Sequence, residues 1–515
     1  MRCWHVLLAA AVMASFSVSN SEGARILALF SLNGRSHFVM FEALLKGLAS
    51  RGHQVDVVGF FPQKKPVPNY TDISVEDALP VLLNNFTVQV VRNFGYINLL
   101  DFIWQTNLEM CEKVLQHPNV QTLIKNREKY DLIITEVFGP DCFIGFSHYF
   151  KAPFISMTSS VALPWANDRL GNPDNPSYIP DYFLPYTQHM NFGQRIVNLV
   201  LTELLKVGHY IFAELPMDKV SRKYLGEDIP PLSELKKKTS LYFVNSHFSL
   251  NIPRPTVPAF IEIGGIHIES GGKLPKDLET YINEAKHGVI YFCLGSLVRP
   301  ETMPKEKLQA FIDVFSELPQ RVLWKTNDIP GLPSNVKTSK WFPQFEILSH
   351  PNVRAFITHG GLMGTQEGVQ AGVPMVGIPL FADQELNIRN CMSKGVSVMV
   401  LYDDVTKETL SNALKTVLND PSYQKNAKHL SQLFRDRPQP PLETAIFWTE
   451  YVIRHGGAPH IRSAAVDLPW YQYLLLDVIA VIVLAFAAVM GIVYFVLKTI
   501  FGFLCRSKHK KVKKN

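Results

Sequence analysis

The sequence predicts an α/β protein of two doubly wound parallel sheets facing across a cleft, followed by one membrane-crossing helix. Three observations lead there. Strand and helix patterns alternate in two separate blocks, a stretch dense in Pro and Gly divides the blocks, and residues 478–497 carry no charge. A chain of 515 residues that is 47% hydrophobic has enough apolar side chains for two cores, which excludes a disordered or disulfide-scaffold protein.

In the first block, ARILALF reads as a strand, HFVMFEALLKGLASRG as a helix with its apolar residues on one face, and HQVDVVGF as a second strand, which makes a βαβ unit. DLIITEVF and APFISMTS add strands. Residues 163–195 turn rich in Pro, Asn, Tyr and Phe, as a long ordered loop over a ligand site would be. The stretch NIPRPTVPAFIEIGGIHIESGGKLP marks the boundary between blocks. The second block alternates GVIYFCLGSL, KLQAFIDVFSEL, RVLWKT, VRAFIT, TQEGVQAG, VPMVGIPL, LNIRNCMSKG, SVMVL and TKETLSNALKTVLND. The domains read as 24–255 and 256–440, with helices returning over 441–473.

Residues 1–23 have an early Arg, a short apolar centre and small polar residues beyond, the pattern of a cleaved secretory signal. VIAVIVLAFAAVMGIVYFVL lies inside a span of 474–497, with WYQY before it and a basic tail (498–515) after it. This orients the chain as a single-pass type I protein with its domains in the lumen. The tail's seven cations exceed the total formal charge of +6 by one, so the remainder carries −1 and a nucleic-acid partner loses its electrostatic basis. The ending KVKKN resembles dibasic retrieval signals of the endoplasmic reticulum, a plain polybasic anchor being the alternative. Asn69 and Asn85 head N-x-T sequons, so the domains read as glycoprotein. Cys111, Cys142, Cys293 and Cys391 show neither CxxC nor zinc spacing and read mostly as buried thiols.

In THGGLMGTQEGV an apolar strand ends in glycines and a helix begins. Glycines admit close approach of an anion, and the helix's first amides point at it with the positive end of the dipole. His359 can add a hydrogen bond or a charge. This is not GxGxxG, and the acid Glu367 sits inside the new helix, so a nicotinamide site is disfavoured.

The run from Lys340 to Asn390, KWFPQFEILSHPNVRAFITHGGLMGTQEGVQAGVPMVGIPLFADQELNIRN, closely resembles the donor-binding signature of the UDP-glycosyltransferases, above all their membrane-bound animal and insect branch. The resemblance implies a GT-B fold and transfer of a hexose, glucose by the insect likeness, from a UDP-sugar to a hydroxyl of a small lipophilic acceptor. Phenols, steroid-like and plant-derived compounds, the targets of detoxification, fit that class. It further implies that Trp341 stacks on uracil while Gln344 bonds its edge, and that Glu367 takes the ribose hydroxyls as a ligand and not as a proton carrier. His359 and the amides around Gly360, Gly361 and Gly364 hold the diphosphate with Ser296, and Asp383 and Gln384 grip the sugar. Arg254 matches an arginine that some relatives aim at the diphosphate. Where relatives have HGGxNG, this chain has Met363, whose thioether cannot donate to a phosphate.

His37, in LNGRSHF, matches the catalytic base, and Asp141 is the preferred carboxylate behind it, with Glu136 as rival. The acceptor pocket is expected among residues 93–104 and the loop after 163. No metal and no cofactor are expected, since the UDP-sugar is a substrate. Oligomeric state stays open. The alternative is a non-catalytic UDP-sugar or lipophile-binding protein, supported by Met363 alone; an epimerase or phosphorylase of the same fold sits poorly with the anchor.

Overall fold

The computed structural model describes residues 23–512 apart from Ser31 and Ser270. The signal over residues 1–22, Cys3 included, and the lysines at 513 and 514 lie outside the described residues. The chain divides into a large unit, residues 1–462, and a small one, residues 463–515.

The large unit holds two parallel sheets. The first has strands β1 (Arg25–Phe30), β2 (Gln54–Gly59), β3 (Tyr70–Ser74), β5 (Leu132–Glu136), β6 (Phe154–Thr158), β7 (Thr239–Val244) and β8 (Phe260–Glu262), ordered β3-β2-β1-β5-β6-β7-β8. The central strands are apolar without alternation, as a sheet covered on both faces requires, and β5 and β6 are buried at every residue. Helix α1 (Arg35–Ser50) lays Phe38, Phe41, Leu44, Leu45 and Leu48 on that sheet. Later helices that position the site are α2 (Phe192–His209), α3 (Leu362–Ala371), α4 (Gln384–Met392) and α5 (Pro441–Arg454). The second sheet is β12-β11-β9-β13-β14-β15, from β9 (Val289–Cys293), β11 (Arg321–Lys325), β12 (Val336–Ser339), β13 (Val353–Thr358), β14 (Met375–Gly377) and β15 (Ser397–Met399).

In each sheet the strand order reverses once, between β1 and β5 in the first and between β9 and β13 in the second. Ligands of open α/β sheets bind outside the carboxyl ends of strands at such a reversal. His37 follows β1 and Glu136 ends β5, while Gly295 and Ser296 follow β9 and His359 follows β13.

Three features differ from the sequence reading. The first sheet extends to Glu262, because β8 pairs in register with β7, so the division at 255/256 falls short of its last strand. Residues 84–92 belong by packing to the second lobe: β4 (Phe86–Thr87) pairs with β10 (Val298–Arg299), and Val88 and Val91 are buried in the second core. Cys111 and Cys142 form a disulfide with Cα atoms 6.1 Å apart, which leaves Cys293 and Cys391 as buried thiols where most of the four were expected to be. After the second lobe the chain does return, and α5 buries Ala445, Ile446 and Val452 in the first core.

The small unit has short turns at Ala464–Asp467 and Trp470–Tyr473, then helix α6 (Leu476–Val512). Its segment Leu476–Leu504 has a mean hydropathy of 2.8 and is long enough to cross a bilayer, and it includes the charge-free run 478–497 of the predicted span 474–497.

The disulfide closes a separation of 31 residues, which by chain entropy corresponds to about 3–4 kcal/mol. Replacing Cys111 and Cys142 together by Ser lowers stability by that order, read as a shift of the urea midpoint of the solubilised protein. An unchanged midpoint would show that the bridge constrains nothing.

Candidate functional site

At the first reversal, His37 sits in the opening turn of α1. Its Nδ1 lies 2.9 Å from Glu136 Oε1 and 2.7 Å from Ser159 Oγ. A carboxylate can only accept, so the proton is on Nδ1 and the Nε2 lone pair is left to the cleft. Glu136 is 3% exposed on its side chain against 24% for His37, so the carboxylate is sealed behind an accessible ring. Phe138 packs edge-on against that ring at 4.8 Å.

Asp141 does not reach His37. It pairs with Arg169, and both side chains are almost fully buried. Burial of the guanidinium would be costly without a counter-charge, and Asp141 supplies it. The preferred partner of His37 is therefore corrected to Glu136, the rival. Sequence gave no sign of Arg169, 28 residues away in the chain, nor of Ser159.

At the second reversal, the turn after β13 is shaped around His359. Gly360 has φ of +86°, and a Cβ on Gly295 or Gly361 would come within 2.6 Å or 2.5 Å of His359 Nε2, so the ring fits only between glycines. Burial, and after it the Lys325 charge, depress His359 to about 4. The imidazole is thus neutral at physiological pH, and of the two roles read from sequence it retains the hydrogen bond and loses the charge. Lys325 lies behind the turn, donating to Gly295 O at 2.5 Å and standing 5.4 Å from the centre of the Trp341 ring. Trp341 is 65% exposed, an open platform rather than a core residue.

Gln344 Nε2 donates to Glu367 Oε2 at 2.6 Å, and His267 Nε2 stands 3.6 Å from Glu367 Oε1. Burial pushes the Glu367 carboxyl up to about 7, with the Gln344 bond opposing it. Burial thus brings the titration of Glu367 toward neutrality. Burial holds His267 down to about 4, so it adds no cation here.

Asp383 occupies the residue before α4 without a side-chain capping bond, and it is buried, with its pKa raised by that burial. Asn387 Nδ2 donates both to Asp383 Oδ2 (2.9 Å) and to Gly360 O (3.0 Å), tying the acid to the His359 turn. From the first lobe, the Tyr182 phenol and the His37 ring both stand close enough to Asp383 to lower its pKa against the burial that raises it. The two reversals therefore meet in one cleft. Gln366, buried in α3, pins it by accepting from Gly265 N (3.0 Å) and donating to Asn245 O (3.1 Å).

Gln384 and Arg254 are committed otherwise than expected. Gln384 Oε1 accepts from Leu380 N and Phe381 N, which holds the loop before α4. Arg254 donates to Pro173 O at 2.8 Å and to Asn167 Oδ1, so its guanidinium braces the loop of the first lobe. Ser296 receives Asn84 N on its carbonyl at 2.8 Å, joining the docked segment to the turn after β9. Gly364 lies in the first turns of α3 beside Gln344. Met363 packs against the first core, which explains an apolar side chain there. Asn69 and Asn85 are exposed. Rings run from His37 and Phe138 through Tyr182 and Phe183 to Tyr96, joining two segments assigned to the acceptor pocket. Among the described residues no cluster of His, Cys, Asp and Glu could hold a metal ion.

A family model described as UDP-glucoronosyl and UDP-glucosyl transferase matches residues 67–515. UDP-glucosyltransferase 2 of Dactylopius coccus is 46% identical over 98% of this chain and 99% of its own length. UDP-glucuronosyltransferase 2B15 of Rattus norvegicus is 32% identical, covering 86% of this chain and 87% of its own. A solved UDP-glucose: anthocyanidin 3-O-glucosyltransferase in complex with UDP matches at a TM-score of 0.56 and 18% identity, over 84% of this chain and 100% of that one. That likeness shows the fold, two Rossmann-like lobes of the GT-B type.

The Asp141–Arg169 pair has a consequence independent of any ligand. Asp141→Ala leaves a buried cation without a partner and destabilises the first lobe by about 3–5 kcal/mol, measured by chemical denaturation. A loss below about 1 kcal/mol would mean that water reaches Arg169.

Proposed function

The chain belongs to the UDP-glucoronosyl and UDP-glucosyl transferase family, and on that premise we propose that it transfers glucose from UDP-glucose to a lipophilic hydroxyl, inverting the anomeric centre. The observation that carries the mechanism is His37, backed by Glu136 and standing near Asp383 of the opposite lobe. His37 Nε2 takes the acceptor's proton as its oxygen bonds to the anomeric carbon. The bond from that carbon to the diphosphate oxygen breaks on the other side, and UDP leaves with the electron pair. Glu136 stabilises the imidazolium that forms, a service worth about 10²–10⁴ in rate for a positioned base.

The leaving diphosphate lies, on this reading, against the unpaired amides that open α3, with the neutral His359 N–H, Ser296 and the glycine turn completing the cradle. Fixed dipoles in a dry site favour the developing charge without reorganisation, so no metal or cofactor is required of the protein. Trp341 stacks on uracil, Gln344 bonds its edge, Glu367 accepts from the ribose diol and Asp383 from the sugar hydroxyls. Gln384 acts through the loop that it holds, and Gly361 and Gly364 keep side chains out of the anion's way. Arg254 is assigned to loop support and not to the diphosphate. The non-catalytic alternative is not favoured. Its basis, Met363, is accounted for by packing, and binding alone has no need of the His37–Glu136 pair.

We place the protein in the endoplasmic reticulum membrane with its domains lumenal. Support comes from the Leu476–Leu504 helix, the basic tail, a disulfide that calls for an oxidising compartment, and the exposed sequons at Asn69 and Asn85. Detoxification of lipid-soluble hydroxyl compounds fits such a position. The founding test incubates membranes bearing the protein with UDP-sugars and phenolic acceptors and follows acceptor-dependent UDP release; none with any pair ends the transferase reading.

His37→Ala abolishes transfer while UDP affinity stays within about threefold, and Glu136→Gln lowers kcat by about 10²–10⁴ with KM for the donor little changed. Equal loss of binding in either variant would reassign the pair to structure. The Glu367 carboxylate is the form that accepts from the diol. With its pKa raised to about 7, UDP-glucose affinity falls as pH drops through that value, about tenfold from pH 8 to pH 6. Glu367→Gln binds more weakly and flattens the profile, and a wild-type profile already flat would remove Glu367 from the ribose.

A further inference from the structure

Residues 82–92 precede most of the first lobe in the chain, yet they touch the second lobe at each point where the chemistry of the cleft gathers. Leu82 bridges to Gly34, in the turn that leads to His37, and its N–H donates to Asn33 O at 2.8 Å. Asn84 N then donates to Ser296 O, and Phe86 N to Leu297 O at 3.2 Å, in the turn after β9. Asn84 redirects the chain between these partners at φ of +51°, a left-handed value that asparagine tolerates. The chain from Leu82 to Asn84 reaches about 7 Å at most, so the two turns cannot part widely while both pairings stand.

This strap ends at Arg92, which closes the short helix Val88–Arg92. Val88 and Val91 are buried in the second core and place it there. Arg92 Nη1 donates to Leu380 O at 3.3 Å, Nη2 pairs with Asp403, and the guanidinium stands 5.7 Å from the centre of the Tyr402 ring. Leu380 follows β14 and Tyr402 follows β15, so one side chain joins the carboxyl ends of two neighbouring strands.

Leu380 begins the stretch that leads to Asp383, and that stretch is strained. Ala382 has φ of +55°, a conformation that a residue with a Cβ keeps only where its surroundings impose it. Gln384 Oε1 holds the N–H groups of Leu380 and Phe381, and Arg92 holds the Leu380 carbonyl. Without the guanidinium that carbonyl turns to water, Ala382 relaxes, and Asp383 moves with it.

We propose that Arg92 is a positioning residue for the donor sugar: through Leu380 it fixes the loop that aims Asp383 at the sugar hydroxyls. This rests on the reading of Asp383 as the group that takes those hydroxyls. The uracil, ribose and diphosphate are held elsewhere, so UDP and UDP-glucose report on different parts of the site.

The test titrates the full-length protein in detergent with UDP and with UDP-glucose by calorimetry, without acceptor, and measures donor KM and kcat with a phenolic acceptor. Arg92→Ala is expected to weaken UDP-glucose about tenfold, the share of one hydrogen bond from a charged group, and to leave UDP within about twofold. Donor KM rises by the same factor while kcat stays within about threefold. Asp403→Asn loosens the same contact from a side chain that is 71% exposed, and weakens UDP-glucose about threefold with UDP unchanged. Equal weakening of UDP and UDP-glucose overturns the proposal and assigns Arg92 to the docking of the lobes; so does a UDP-glucose affinity that Arg92→Ala leaves unchanged. If Arg92→Ala does not fold, the Asp403→Asn titration decides alone. Asp383→Asn, titrated alongside, separates the proposal from its premise. An unchanged UDP-glucose affinity in that variant removes Asp383 from the sugar and ends both, whereas a loss there with none in the Arg92 and Asp403 variants overturns the role of Arg92 alone.

Discussion

Everything in the cleft depends on a carboxyl group of one lobe being met by a phenol of the other. Asp383 is buried, and its hydrogen bond from Asn387 makes that burial tolerable, with the Tyr182 phenol close by. Through Asn387 it is tied to the Gly360 carbonyl, and Tyr182 brings the loop over the first lobe beside it. Both lobes direct the starts of helices, α1 and α3, at this point. The positive dipole end of each favours an anion placed near it. In the proposed reaction that anion is the leaving diphosphate, and the His37 imidazole serves the opposite side of the sugar.

The fold was legible where one period of apolar residues decides it. The strands β1, β2, β5 and β6 and helix α1 follow from continuous or helical apolar spacing, as do most elements of the second lobe. The short strand β3, the strands β7 and β8, and the docking of residues 84–92 were not legible, because each is defined by a partner distant in sequence: β4 is a strand only by virtue of β10. Helix α2 was missed for another reason. Periodicity reports that a helix has an apolar face without reporting what lies against it, and here the polar face is the one turned inward.

At the site, the donor half was readable because its chemistry is local. A strand end, a glycine turn and a helix start are consecutive in sequence, and so are Asp383 and its cap position. The base half was only partly readable. Glu136 and Asp141 are both acids just past one strand, and choosing between them required knowing where Arg169 would lie. Glu136 is the last residue of β5, next to β1 in the sheet, so the pleat delivers its side chain to the helix that begins after β1. Asp141 is five residues further and buried, where it pairs with the Arg169 guanidinium.

The chemistry on either side of the cleft differs in its dependence on solvent. The acid side is dry: His359 is held neutral, Asp383 and Glu367 are pushed upward, and each is shifted chiefly by burial. His37, by contrast, keeps an accessible ring on a sealed carboxylate. A base must lose its proton to water between turnovers, whereas a cradle for a leaving group works best when water is excluded. The loop 176–183, which carries Tyr182, is held to α2 by three short hydrogen bonds of Asn198.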